Sequence, residues 1–156
     1  MCHSLQENCH LPSINLQLTI YGPIIEIVVG TSQPRQEALI AAGQVIPPSK
    51  IGKFLIDTGA SCTCIDIDLM ESLEIPPSGS TTIQTPSTNG GLHTCNLYDV
   101  MLFIPNFGNG GYRIEALPIV ETHLSSQGIN GLLGRDVLDK CALNYNGSAQ
   151  MYTLSY

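Results

Sequence analysis

Strict alternation constrains this chain most. From Ile14 to Ile20, Ile14, Leu16, Leu18 and Ile20 fall on one side while Asn15, Gln17 and Thr19 fall on the other. A period of two places successive side chains on opposite faces of a strand, so the segment predicts a half-buried β-strand. Tyr21-Gly22-Pro23 then turns the chain into a second apolar strand, Ile24 to Val29, closed by Gly30. The punctuation continues to the end, with 15 glycines and 10 prolines among 156 residues and no collagen-like period, which implies many turns joining short elements. A coiled coil is excluded, and no internal repeat suggests a solenoid or propeller.

Further strands are expected over Lys53 to Ile56, Thr81 to Thr85, Leu92 to Ile104 and Ile114 to Val120, the last as an edge strand because Pro118 cannot donate to a ladder. Asn146-Gly147 signals a hairpin between Leu143 and Tyr152. Helices are expected over Pro34 to Ala42, with proline at the start and Gly43 past the end, over Arg135 to Cys141, and where Ile65, Leu69, Met70 and Leu73 recur at helical spacing. Asp66 or Asp68 is placed to cap that last helix. Residues 13–156 form one domain, residues 1–12 are read as a mobile tail, and residues 34–49 as a surface insertion.

With 43% hydrophobic and 12% charged residues the chain can bury a core. A net charge of −7 without any basic run argues against nucleic acid and anionic membranes as partners. No apolar stretch is long enough for a spanning helix, and Met1 to Pro12 has no basic start or apolar centre, so a cytoplasmic location is expected. Six cysteines are then read as free thiols, and the Cys2-His3 and Cys9-His10 dipeptides as tail residues without a fixed zinc geometry. No metal or cofactor is expected.

Chemistry is concentrated in two segments. In Phe54-Leu55-Ile56-Asp57-Thr58-Gly59-Ala60-Ser61 a carboxylate follows three bulky apolar residues, where a buried strand emerges into a tight loop. Glycine there admits a close backbone, and the threonine hydroxyl can hold the loop. Alone, the motif fits equally an Asx-type turn in which the carboxylate accepts only local donors. The second segment is Asn130-Gly131-Leu132-Leu133-Gly134-Arg135-Asp136-Val137-Leu138.

Taken together, the two segments resemble the retroviral-type, or retropepsin-like, aspartic peptidases, in their cellular and bacterial branch. Those enzymes have in order a hydrophobic strand, Asp-Thr-Gly-Ala, a glycine-bearing flap hairpin, and two hydrophobic residues before Gly-Arg-Asp. The resemblance spans Phe54 to about Tyr145. It implies a mainly β, single-lobe acid-protease barrel with one or two short helices and a flap hairpin. It also implies Asp57 as the catalytic residue, with Thr58 locking paired loops and Gly59 touching the substrate backbone. Ala60 and Ser61 would complete the loop, and Leu132, Leu133, Gly134 and Arg135 would brace it. Thr85, Pro86, Ser87, Thr88, Asn89, Gly90 and Gly91 would form the flap. Viral members carry an acid two residues after the glycine that pairs with the arginine. Here that position is Ser61, which leaves Arg135 to a carbonyl or another carboxylate.

Amide hydrolysis needs both a base for water and an acid, whereas a lone aspartate with a pKa of about 3.9 is only a base at neutral pH. Two carboxyls about 3 Å apart share one proton and supply both roles. None of Asp66, Asp68, Asp99, Asp136 and Asp139 precedes Ser/Thr-Gly, so the partner aspartate must come from a second copy, as in a two-fold dimer. The function implied is an aspartic endopeptidase acting on polypeptides as a homodimer. The alternative is a peptide-binding or assembly module on the same fold. Asp66-Ile67-Asp68 as a metal or phosphoryl-transfer pair, and Cys62 or Cys64 with His93 as a thiol hydrolase, have weaker support, and His123 is read as solvated.

Overall fold

Most of the alternating segments do form strands. The computed structural model describes residues 11–83, 92–106 and 110–156. In chain order these hold β1 Ser13–Gln17, β2 Ile24–Thr31, α1 Gln33–Ala41, β3 Lys50–Ile56, β4 Cys64–Asp66, α2 Ile67–Ser72, β5 Gly79–Ile83, β6 His93–Asn106 and β7 Gly110–Thr122. A 3-10 turn at Ser125–Gln127, β8 Gly131–Leu133, α3 Arg135–Leu138, β9 Ala142–Asn146 and β10 Met151–Ser155 complete the series.

Six strands close a barrel in the order β2-β3-β8-β4-β7-β6, with β6 returning to β2 through Val28↔Phe103 to Thr31↔Val100. β5 extends β6 outside the ring. Closure removes the open edges that a flat sheet would present to other chains. A second sheet, β1-β10-β9, joins the two ends of the described chain, and Ile14, Tyr152 and Leu154 share one core with Phe54, Ile65, Leu102 and Leu133 of the barrel. The buried Tyr152 hydroxyl donates to the Ile24 carbonyl at 2.6 Å, which ties the terminal sheet to the barrel. Tyr156 stacks on Tyr112 with ring centroids 5.2 Å apart.

Several expectations change in detail. The alternation ends before Ile20, because a Thr19↔Gly22 bridge closes a turn and leaves Ile20 91% exposed. Ile65 belongs to β4 rather than to a helix. Asp66 Oδ1 accepts the Asp68 N–H at 3.1 Å and starts α2 only after it, so Leu69, Met70 and Leu73 alone keep the helical spacing into the core. β7 lies inside the barrel, between β4 and β6, yet Pro118 sits before β4 joins at Val120, where β7 has a single partner and the missing N–H costs no bond. The Asn146-Gly147 hairpin forms with a four-residue turn, since Asn146 Oδ1 accepts the Ala149 N–H at 3.0 Å and Gln150 takes the positive φ. Of the expected tail, Pro12 is held, its carbonyl accepting the Tyr156 N–H at 2.9 Å. Among the described residues no helix is long and apolar enough to cross a membrane.

Candidate active site

Asp57 stands at the end of β3, whose Phe54 and Ile56 side chains are buried in the barrel. Two neighbours fix the strand end: Ile56 N–H donates to the Pro23 carbonyl at 2.9 Å, and Asp57 N–H donates to the Leu133 carbonyl at 3.0 Å. The chain then turns sharply, with Ala60 N–H donating to the Asp57 carbonyl at 3.2 Å. Gly59 N–H donates to Asp57 Oδ1 at 2.8 Å. The local Asx-type bond is therefore present, and it orients a carboxylate that stays partly open to solvent. A Cβ on Gly59 would lie 3.1 Å from that same oxygen, so glycine keeps space beside the acid. Thr58, Gly59 and Ser61 are exposed at the loop tip.

The second motif is brought directly behind this loop. β8 lies between β3 and β4, parallel to the first through Phe54↔Gly131 to Ile56↔Leu133 and antiparallel to the second through Cys64↔Leu132. A side chain at Gly131 would overlap the Phe54 ring, and one at Gly134 would lie 2.5 Å from the Cys62 carbonyl carbon, so both glycines are demanded by backbone and ring approach. Arg135 N–H donates to the Ala60 carbonyl at 3.0 Å, and Arg135 Nη1 donates to the Thr58 carbonyl at 3.0 Å and the Gly59 carbonyl at 3.5 Å. The guanidinium thus finds main-chain oxygens where the viral pattern has an acid.

Thr63 and Asp136 also lock the loop, and Thr63 was not singled out from sequence. Thr63 is fully buried, and its hydroxyl donates to Asp136 Oδ1 at 2.8 Å while accepting the Gly134 N–H at 3.1 Å. Its N–H donates to Asp136 Oδ2 at 2.9 Å, and Asp136 Oδ1 also accepts the Val137 N–H at 3.0 Å. The only sequence signal was the presence of Asp136 in the second motif; its partner lies 73 positions earlier. Asp66, also fully buried, accepts from the N–H groups of Asp68, Leu124 and Ser125, which explains it as a structural anchor rather than one half of a metal pair. Asn130 accepts the Lys53 N–H on its side chain at 2.9 Å and the Asp66 N–H on its carbonyl at 2.8 Å, so it links the strands that flank β8.

The thiol reading weakens on electrostatics. Burial, the neighbouring Cys62 and the Asp136 carboxylate push the Cys64 thiol up to about 12, leaving it protonated and a poor nucleophile. Among the described residues no three His, Cys, Asp or Glu side chains are grouped to hold a metal ion. The expected flap, Thr85 to Gly91, lies outside the described residues.

A barrel carrying a half-open aspartate on a loop locked by a distant Gly-Arg-Asp segment defines an aspartic-protease class of fold. The family model described as aspartyl protease matches residues 49–137, more than half of the chain, and the chain belongs to that family. Among solved structures it is similar to a retropepsin-like aspartic protease from Rickettsia conorii, with a TM-score of 0.56 and 15% identity over 94% of this chain and 93% of that one. The fold is retropepsin-like. No curated protein matches this chain in sequence.

Proposed function

We propose that the chain is an aspartic endopeptidase whose active centre forms when Asp57 meets Asp57 of a second copy. The observation that carries this reading is the loop itself: a partly exposed carboxylate, oriented by Gly59 N–H and braced from behind by Leu133, Arg135, Thr63 and Asp136. Such a frame holds a charged group in place without engaging all of its acceptor sites, as a reacting group requires. In the paired site one ionised carboxylate takes a proton from water. The water oxygen forms a bond to the scissile carbonyl carbon, and the protonated partner carboxyl supplies its proton to the carbonyl oxygen. The proton now on the first carboxyl passes to the amide nitrogen and the C–N bond breaks, while the other carboxylate takes a proton from a hydroxyl of the collapsing diol, which restores the shared-proton pair. Thr58, exposed at the tip, would lock the two loops together. Residues 85–91 would cover an extended peptide bound as an added strand.

The test is cleavage of a mixed peptide library between pH 4 and 7, with and without a statine-type inhibitor. Asp57→Asn should lower cleavage by about a thousandfold or more, because the dyad loses its shared charge. Cleavage that persists in this variant removes Asp57 from the mechanism, and peptide binding without cleavage in the parent chain favours the binding-module alternative. Sedimentation that finds only monomer at every concentration, alongside full activity, overturns the dimeric site.

A further inference from the structure

Cys62 and Cys64 flank the residue on which the loop depends. Both are free thiols, both are half-buried, and between them lies the fully buried Thr63. The Cys64 thiol reaches back to the Cys62 carbonyl at 3.7 Å, which sets its sulfur alongside residue 62. Cys62 belongs to the bend that follows Ser61, whereas Cys64 opens β4 and is held by its pairing with Leu132 and Val120. One sulfur thus sits on the loop and the other on a strand paired on both sides.

We propose that Cys62 and Cys64 form a peroxide-sensitive dithiol, and that its closure to a disulfide disengages Thr63 from Asp136 and loosens the Asp57 loop. The Cys62 thiolate attacks one oxygen of hydrogen peroxide. An S–O bond forms, the O–O bond breaks, and the departing hydroxide leaves as water with the thiol proton. Cys64 sulfur then attacks the Cys62 sulfenic sulfur, expelling a second water and forming the S–S bond. Two thiols and one peroxide become a disulfide and two waters, with the sulfurs oxidised by two electrons and the peroxide reduced. The Cys64 thiol proton leaves with the sulfenic hydroxyl as that second water.

The structural consequence follows from bond geometry. A disulfide draws its Cβ atoms to within about 3.5–4.5 Å. Across a single intervening residue this bends the backbone at Thr63, whose N–H and hydroxyl both bind Asp136 and whose hydroxyl also accepts from Gly134. Effects on cleavage rest on the proteolytic reading above; formation of the bridge does not.

The experiment treats the full chain with hydrogen peroxide and then digests it with a protease that cuts before aspartate. Fragment 57–65 begins at Asp57, ends before Asp66, and contains Cys62 and Cys64 as its only cysteines. That fragment should become about 2 Da lighter and resist alkylation until dithiothreitol is added. Amide hydrogen exchange at Thr63 and Gly134 should accelerate in the oxidised chain, and peptide cleavage should fall by about tenfold or more and recover on reduction. Cys62→Ser and Cys64→Ser should each abolish both the mass change and the peroxide sensitivity. Two alkylatable thiols in fragment 57–65 after treatment, or a bridge to Cys95 instead, overturn the dithiol. Unchanged exchange in a bridged chain overturns the loosening. A reduced chain that cleaves no peptide overturns proteolysis alone, with mass and exchange still deciding the dithiol.

Discussion

The Asp57–Thr63 loop and helix α1 are both short surface segments, yet opposite forces hold them. α1 buries none of its side chains, and its side-chain hydrogen bonds are local: Gln33 to Glu37 at 3.0 Å and Gln36 to the Thr31 carbonyl at 2.6 Å. The loop is held by Leu133, Gly134, Arg135 and Asp136, all more than 70 positions away. Local propensity is enough where a segment only has to exist. Where a carboxylate must be placed to a fraction of an ångström, the chain recruits rigid partners from a remote strand and helix.

Four substitutions or titrations can break or sharpen that contrast. Gly134→Ala should have the largest effect, because its Cβ meets backbone atoms of Cys62 and Thr63 at 2.5–2.8 Å that have little room to yield. We expect a loss of about 3 kcal/mol in urea denaturation, together with most of the cleavage activity. A neutral outcome would mean that the two motifs are not pressed together. Asp136→Ala should cost about 2 kcal/mol by leaving the Thr63 N–H buried without an acceptor. It should depress kcat more than KM, and an intact kcat would separate the Thr63 lock from catalysis.

Glu121 offers an intermediate case within the barrel wall. Burial raises its carboxyl pKa, but hydrogen bonds from Asn96 and Tyr98 outweigh this, and the group ends below the ordinary carboxylate value. A lowered folded-state pKa contributes stability that is complete above the unfolded value and disappears as pH falls through the folded one. The stability gap between the parent chain and Glu121→Gln, followed by denaturation from pH 7 to pH 3, should therefore be widest near neutrality and close in acid. A gap that grows in acid contradicts the assignment. The smallest effect is expected on α1, where Ile40 is 64% exposed. Ile40→Gln should change stability by no more than about 0.5 kcal/mol and leave cleavage untouched, and a larger loss would show that this helix is covered by something.

Legibility from sequence followed the range of the physics. The strand at Ile24, the helix between Pro34 and Gly43 and the hairpin at Asn146 were readable because periodicity, proline, glycine and asparagine act on their near neighbours. Failures lay at boundaries where a distant group decides. Ile65 reads as helical by spacing, but β4 pairs it with Gly131 and Glu121, and the Asp66 cap starts the helix afterwards. Pro118 reads as an edge marker, and only the late entry of β4 reconciles it with a strand inside the barrel.

In the candidate site, the turn at Asp57, Thr58 and Gly59 was legible because a carboxylate between an apolar strand and a glycine turn is a local pattern. Thr63 was not, since a buried threonine looks like any other until its partner is known. The sequence by itself determined most of the elements and the two segments proposed to carry the chemistry, through side-chain periodicity and backbone freedom acting over a few residues. Only the tertiary structure decided that β8 enters between β3 and β4, that Arg135 holds carbonyls, and that Asp136 clasps Thr63. Hydrogen bonds and close packing between groups more than 70 positions apart depend on where the folded chain puts them, and no local rule of sequence encodes that distance.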